Sequence, residues 1–365
     1  MTISVPPRKE ILHFEPYVPG RDMETVKKQY HLSRVVKLAS NENPLGPSPK
    51  AVAALRKATG NLHRYPDGFS LSLREAIALK NRVALHQVTV GAGSDEIIEI
   101  LAKTYLNPSD NIVVSEHAFL RYRMAGDLMG ARVISVPMKK MEHDLEAMAK
   151  AVTSKTKLIF VANPNNPTGT WNTLAQVNRF LKALPSHVLP VVDEAYFEFA
   201  EHQTNYPNTI ELFKAGAGVI TLRTFSKAYG LAGVRLGYGV GPASVIEALE
   251  RVRPPFNVSL PAQAAGVAAL NDVRHIQRTV DLTLKEKTRV EKILRDRGVE
   301  FLPSAGNFLL IRVAPKLGKD VFERLLRQGV IVRSMDEYGF HQHVRVTIGR
   351  PADNNLFLQT LRRLS

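Results

Sequence analysis

The sequence predicts an α/β protein: a sheet of seven strands sandwiched by helices, accompanied by a smaller α+β domain. Three observations predict it. From about residue 87 one phrase recurs, a short β-branched run, a turn carrying glycine, proline or asparagine, then a segment with helical apolar spacing. After residue 258 this phrase gives way to a long charged helical stretch followed by apolar strands. A chain of 365 residues with 44% hydrophobic content is also long enough for a large domain and a companion.

The first forty residues hold too little periodic structure to fold alone, so they are expected to pack as an arm with the carboxy-terminal domain. The seven strands are read in "QVTV", "NIVVS", "ARVISV", "KLIFVA", "VLPVVD", "GVITLRTF" and "VRLGYGV". Helical segments such as "SDEIIEILAKTYL" and "TLAQVNRFLKAL" lie between most of them, an alternation that covers a sheet on both faces. In the last third, "RHIQRTVDLTLKEKTRVEKILRDRG" reads as one helix, and "NFLLIRV", "VIVRS" and "VRVTIG" read as strands. The expected division is therefore 1–35 as the arm, 36–258 as the large domain and 259–365 as the small domain. No internal repeat or low-complexity segment is found.

Composition excludes several classes. No apolar run reaches the length of a membrane span, and "MTISVPPRKEILHFEPY" carries prolines and charges where a signal peptide needs a continuous apolar segment, so a cytoplasmic location is expected. Cysteine is absent, which removes disulfides and thiolate metal sites. The net charge of +15 invites a nucleic-acid partner, but the basic residues are scattered in pairs such as Lys27/Lys28 and Lys139/Lys140 among acids. A solvated basic surface that steers small anions accounts for that distribution, and neither nucleic acid nor membrane is expected as a partner. His341 and His343 lack a third ligand in view and read as loop histidines, so no metal is expected.

Ligands of open α/β sheets bind beyond the carboxyl ends of the strands, so the groups standing there matter most. After the first strand comes "GAGSDE": Gly91 and Gly93 let the backbone approach a ligand, Ser94 reads as a helix cap, and the free amides of the helix start can hold a phosphate. Glu96 stands where a dinucleotide fingerprint needs a small residue, which argues against a nicotinamide site. Taken alone, the stretch is equally an ordinary helix start favoured by Asp95 and Glu96. "NPNNPTG" is a rigid turn that presents the Asn166 amide, although on its own it is only a connection between strand and helix.

Asp193 ends the apolar run "VLPVVD", where an ionised carboxylate requires a cationic partner. A neighbouring lysine or arginine would serve, and so would a protonated pyridine nitrogen. Lys227 follows Ser226 at the end of "GVITLRTF". By itself it is an ordinary turn lysine, but a lysine with a lowered pKa is a carbonyl-reactive nucleophile, and pyridoxal phosphate enzymes pair such a lysine with an acid at the ring nitrogen. The "GAGSDE" turn, Ser226 and Arg235 complete a phosphate cradle.

In order and spacing, "NPNNPTG", "DEAYFEF" and "RTFSKAYGLAGVRLGY" resemble the fold type I pyridoxal-phosphate-dependent (class II) aminotransferases. "PYVPGR", "LASNENPLGPSP" and "RYPDG" narrow the resemblance to the histidinol-phosphate aminotransferase family, from about Tyr17 to about Arg350. The resemblance implies a mostly parallel seven-stranded sheet with one antiparallel strand, here "VRLGYGV". It also implies that Lys227 forms the Schiff base with pyridoxal 5'-phosphate, that Asp193 pairs with the ring nitrogen, and that Asn166 and Tyr196 hydrogen-bond the ring oxygen. Ser94 and Asp95 would hold the phosphate through backbone amides, with Glu96 in the same turn and Thr224, Ser226 and Arg235 alongside, while Phe119 stacks on the ring. Family members often carry tyrosine at the Phe119 position, so the stacking face is kept here and the hydroxyl is lost. Tyr65 would reach the phosphate from the other subunit of a homodimer.

For the substrate, the resemblance matches Arg333 and Arg345 to anion-binding arginines, whose planar forks suit phosphate and carboxylate oxygens. It places Tyr17 and Asn43 beside them. The implied reaction converts L-histidinol phosphate and 2-oxoglutarate to imidazole acetol phosphate and L-glutamate. Three other functions share parts of the pattern: an aminotransferase for phenylalanine or tyrosine, a phosphothreonine-type decarboxylase, and a non-catalytic anion- or nucleic-acid-binding protein resting on the charge alone.

Overall fold

The apolar runs after residue 87 fold as strands in a computed structural model that describes residues 5–12, 14 and 20–364. In chain order the strands are β1 Val36–Lys37, β2 Val88–Gly91, β3 Asn111–Ser115, β4 Arg132–Val136, β5 Thr156–Ala162 and β6 Leu189–Asp193. They continue with β7 Ile220–Thr224, β8 Gly237–Val240, β9 Phe308–Arg312, β10 Val330–Ile331, β11 Arg333–Ser334 and β12 His343–Thr347. The main sheet has the order β2-β8-β7-β6-β5-β3-β4. Only β8 runs antiparallel to its neighbours, β2 and β7, as expected for "VRLGYGV".

Both faces of this sheet are covered, which is why its central strands read as continuous apolar runs. Successive side chains of one strand alternate between faces. Ile112, Val114, Leu158 and Phe160 enter one core with helices Ser94–Tyr105, Leu120–Leu128 and Ala243–Val252. Val113, Ile159 and Val161 enter the opposite core with Leu145–Lys150 and Leu174–Ala183. The second of these helices starts in a capping box: Thr173 accepts from the Gln176 amide, and the Gln176 side chain accepts from the Thr173 amide.

A second layer holds the antiparallel sheet β11-β12-β9 and the parallel pair β1-β10. Its core joins Val36 and Leu38 to Leu309, Ile311, Val344 and Val346, under helices Gly318–Arg327 and Pro351–Leu364. The helix Val273–Asp296 links the layers: Val280 packs with Tyr196 and Phe308, whereas Val290 and Leu294 enter the second core.

Two expectations need correction. The expected boundaries at residues 35 and 258 fall beside the structural ones, because β1 already belongs to the second layer, while helix Leu260–Leu270 packs on Pro49–Ala58 and Leu71–Asn81 over β2 and β8. The small Ala262, Ala265 and Ala269 on one helix face allow that close approach. "VIVRS" is also not one strand. Its first half pairs with β1 and its second half with β12, and Val332 between them is buried in the core. Among the described residues no helix is long and apolar enough to cross a membrane.

Candidate active site

The carboxyl ends of β3, β5, β6 and β7 and the start of helix Ser94–Tyr105 open into a cavity of ≈ 650 Å³ whose far wall comes from the second layer. Asp193, the last residue of β6, is buried against it. Tyr122 donates its hydroxyl to Asp193 Oδ2 at 2.8 Å, and the Ala195 amide donates to Oδ1 at 3.1 Å. No cation of the described residues lies at ion-pair distance from this carboxylate, so the neighbouring lysine or arginine that the sequence left open is not there. Burial pushes its pKa up from 3.8 to about 6, against the pull of these two hydrogen bonds.

The next residue along faces the other way. Glu194 takes Arg223 of β7 in a buried pair with Nη2–Oε2 2.7 Å, and its second oxygen accepts from the Thr209 amide and hydroxyl. With its polar atoms satisfied, this pair clamps the ends of β6 and β7 together. Asp193 and Thr224 consequently face the cavity from fixed positions.

Lys227 lines the same cavity, three residues beyond the end of β7. Its Nζ donates to the Ser40 carbonyl at 3.0 Å and stands 5.9 Å from the Tyr196 ring centre. Burial first, and then the charge of Arg345, lowers its pKa from 10.5 to about 8. The turn before it is shaped locally: Thr224 Oγ1 accepts from the Ser226 amide at 3.1 Å and donates to Ser226 Oγ at 3.0 Å.

One corner of the cavity gathers donors. Arg235 Nη1 approaches Ser226 Oγ at 3.5 Å and donates to the Ala232 carbonyl at 3.1 Å. Beside it begins helix Ser94–Tyr105, with its unpaired first amides. Gly93, at φ +84, is the residue before that helix, and a Cβ there would stand 2.6 Å from Arg235 Nη2. The expectation that Ser94 caps the helix is thus corrected: Ser94 is its first helical residue, and the cap position belongs to a glycine because Arg235 occupies the space a side chain would need. The Asp95 carboxylate is held by Arg121 at 2.7 Å. Glu96 does not line the cavity. Its Oε2 accepts from the Ala92 amide and from Asn257 Nδ2, both at 2.7 Å, so the carboxylate closes its own turn.

Phe119 lines the cavity and meets Tyr122 edge-on at 5.7 Å. Tyr196 accepts a hydrogen bond from Asn41 Nδ2 at 2.8 Å. Arg345 donates through Nη2 to the Ala39 carbonyl at 2.8 Å and through Nη1 to Asn166 Oδ1, while its buried Nε has no partner among the described residues. Arg333 also lines the cavity, in a fork with Glu337 at 2.7 Å.

Two further expected residues lie elsewhere, and a third is not among the described residues. Asn43 is not in the cavity: its Nδ2 donates to the Ala228 carbonyl at 2.8 Å and Thr279 Oγ1 at 3.1 Å, and its Oδ1 accepts from the Leu45 amide. It braces the backbone next to Lys227, and Asn41 of the same "NEN" stretch lines the cavity instead. Tyr65 is 82% exposed, stacked on Phe256 at 4.7 Å, away from the cavity of its own chain. Tyr17 falls outside the described residues.

Sequence reasoning missed Tyr122, Asn41, Arg121 and Glu337, all of which line the cavity or hold a group that does. Tyr122 had a usable signal, since it follows the stacking candidate Phe119 by three positions, one turn of helix Leu120–Leu128.

Residues 33–361 match the family described as aminotransferase class I and II. The chain is 46% identical over 360 residues to a histidinol-phosphate aminotransferase of Moorella thermoacetica, covering 98% of this chain and 92% of that protein. A histidinol-phosphate aminotransferase of Anaeromyxobacter is 45% identical, over 99% of this chain and 98% of that one. Among solved structures, the histidinol-phosphate aminotransferase of Sinorhizobium meliloti in complex with pyridoxal-5'-phosphate superposes with a TM-score of 0.86 at 28% identity, covering 97% of this chain and 99% of that chain.

Proposed function

The chain belongs to the class I and II aminotransferases and, within them, to the histidinol-phosphate aminotransferase family, and from that premise we propose the following reaction and roles. The protein is a pyridoxal-phosphate-dependent transaminase of histidine biosynthesis. It converts L-histidinol phosphate and 2-oxoglutarate to imidazole acetol phosphate and L-glutamate. The observation that carries the reading is a lysine of lowered pKa and a buried carboxylate without a cation, facing one cavity beside a corner of anion donors.

The residues fit the cofactor. A buried carboxylate with a raised pKa is the environment a ring N–H cation relieves. A glycine whose Cβ would strike Arg235 leaves the backbone bare at the helix start, where a phosphate group needs it. Asp193 would hold the ring nitrogen, with Thr224, Ser226, Arg235 and the amides of Ser94 and Asp95 around the phosphate. Phe119 would cover the ring face, and Lys227 would hold the group through Nζ. Bound there, pyridoxal phosphate supplies an electron sink and carries the amino group between the two half-reactions.

The chain's own groups do the rest. Lys227, near neutrality of charge above about pH 8, is the amine that can take a proton from the substrate carbon and return it. Asn41 donates to the Tyr196 hydroxyl, which leaves the tyrosine proton free to be donated into the site together with the Asn166 amide. Asp193 stays ionised once a cation faces it. Arg345 meets only neutral acceptors and forms no ion pair among the described residues, so its charge is available for the phosphate of one substrate and a carboxylate of the other. The proposal includes a homodimer, supported by the exposed Tyr65–Phe256 stack and by Phe69 nearby in sequence, with Tyr65 reaching the partner's phosphate corner.

Recording the visible absorption of the cofactor-loaded protein during titration with L-histidinol phosphate, and separately with L-phenylalanine, tests the reading. Loss of the cofactor's visible band at low histidinol phosphate, with little response to phenylalanine, is expected. A response to phenylalanine alone would move the donor to the aromatic amino acids. No visible band after addition of pyridoxal phosphate would overturn the role of Lys227.

A further inference from the structure

The two cavity arginines stand directly opposite each other in the β11–β12 pair, Arg333 against Arg345. Like charges in that position repel. The structure treats them differently. Among the described residues Arg345 meets only neutral acceptors and its buried Nε has no partner, whereas Arg333 is gripped by a carboxylate. Arg333 Nε donates to Glu337 Oε1 at 3.1 Å, and Nη2 donates to Oε1 at 2.7 Å and to Oε2 at 2.8 Å.

That carboxylate is itself on the cavity wall, its side chain 33% exposed. Its backbone is not free to move. Met335 and Tyr338 on either side are buried, and Phe340 is packed on His117 at 4.4 Å. Separation of Glu337 from Arg333 therefore takes a rotation of the glutamate side chain within the cavity it lines, with the buried residues of its turn left in place.

We propose that Glu337 is a resident counter-anion, which the anionic group of a substrate must displace from Arg333, and that it thereby sets the enzyme's preference between charged and uncharged donors. The inference rests on the reaction proposed above. An incoming phosphate has to exchange for the glutamate instead of meeting a bare guanidinium, so its apparent affinity is lowered. A donor without an anionic group enters with the Arg333–Glu337 pair intact and leaves no unpaired charge behind. Glu337 is thus a specificity-determining residue acting through Arg333.

The test compares L-histidinol phosphate with its uncharged counterpart L-histidinol on the holoenzyme, for wild type, Glu337→Gln, Glu337→Ala and Glu337→Asp. For the Gln and Ala variants KM for histidinol phosphate should fall about three- to five-fold, the size of a partly exposed charge pair. KM for histidinol should change less than about two-fold, and kcat less than KM, as expected when ground-state competition is removed. Glu337→Asp keeps the charge and should remain closer to wild type than either neutral variant. An unchanged or raised KM for histidinol phosphate in Gln and Ala variants that retain the cofactor's visible band overturns the inference, as does an equal change for both donors. If the wild-type enzyme shows no turnover of histidinol phosphate and no spectral response to it, the proposed reaction fails first and this inference falls with it.

Discussion

Tyr122→Phe isolates one hydrogen bond from its surroundings. The phenylalanine ring keeps the stack on Phe160 at 4.9 Å and the edge contact with Phe119, so packing is preserved and only the donor to Asp193 Oδ2 is lost. A hydrogen bond to a charged group contributes about 1.5–3 kcal/mol, and one pKa unit corresponds to about 1.4 kcal/mol. Starting from about 6, the Asp193 carboxyl should therefore rise by about one to two units in the apo-protein. The sign follows directly: a raised carboxyl pKa means that the neutral acid is populated near pH 7 and must lose its proton before it can face a cationic ring nitrogen. By linkage the variant should bind pyridoxal phosphate about two- to ten-fold more weakly than wild type at pH 7, with the deficit growing below that pH and vanishing towards about pH 9. Cofactor titrations followed by visible absorption across this range measure it. An affinity equal to wild type at and below pH 7, or a loss that does not depend on pH, would refute the assignment of Tyr122 as the residue that keeps Asp193 charged.

Lys227→Ala should keep the cofactor bound without covalent attachment and abolish turnover, and near-normal turnover would sink the assignment. In the wild-type apo-protein the rate of cofactor capture should rise with pH up to about 8 and level off above it, because the reactive form is the neutral amine, and stopped-flow absorption reads this profile. Arg345→Ala should slow both half-reactions, and Arg333→Ala should slow one more than the other; single-turnover rates near wild type in both variants would remove the anion role. Gly93→Ala places a Cβ 2.6 Å from Arg235 in a backbone conformation that costs other residues about 1–3 kcal/mol, so both the apo-protein Tm and cofactor affinity should fall.

Much of the site was legible because the main strands are buried on both faces. An apolar run that ends abruptly in Asp193, or in Ser226 and Lys227, marks the place where a strand meets a polar cavity. Gly93 could be anticipated in the same way, although the reason it must be glycine is Arg235, which follows it by 142 positions in the chain and stands beside it in space. Asn41 and Asn43 could not be told apart from their shared stretch. One turns to Tyr196 and the other to Ala228, and that choice is made by what packs on each side.

By itself, then, the sequence determined the kinds of elements and the residues at their ends, because apolar periodicity and turn chemistry act over a few neighbouring positions. The order of the sheet, the boundary between the layers and the partners of each polar side chain were decided only in three dimensions. Tyr122 reaches Asp193 across 71 positions, and Arg345 reaches Ala39 across 306. Arg333 and Glu337 are close in sequence, but whether that carboxylate pairs with the arginine or turns to solvent depends on the buried Met335 and Tyr338 that fix the turn between them. A hydrogen bond or ion pair depends on distance and direction, and those are set by packing from distant parts of the chain.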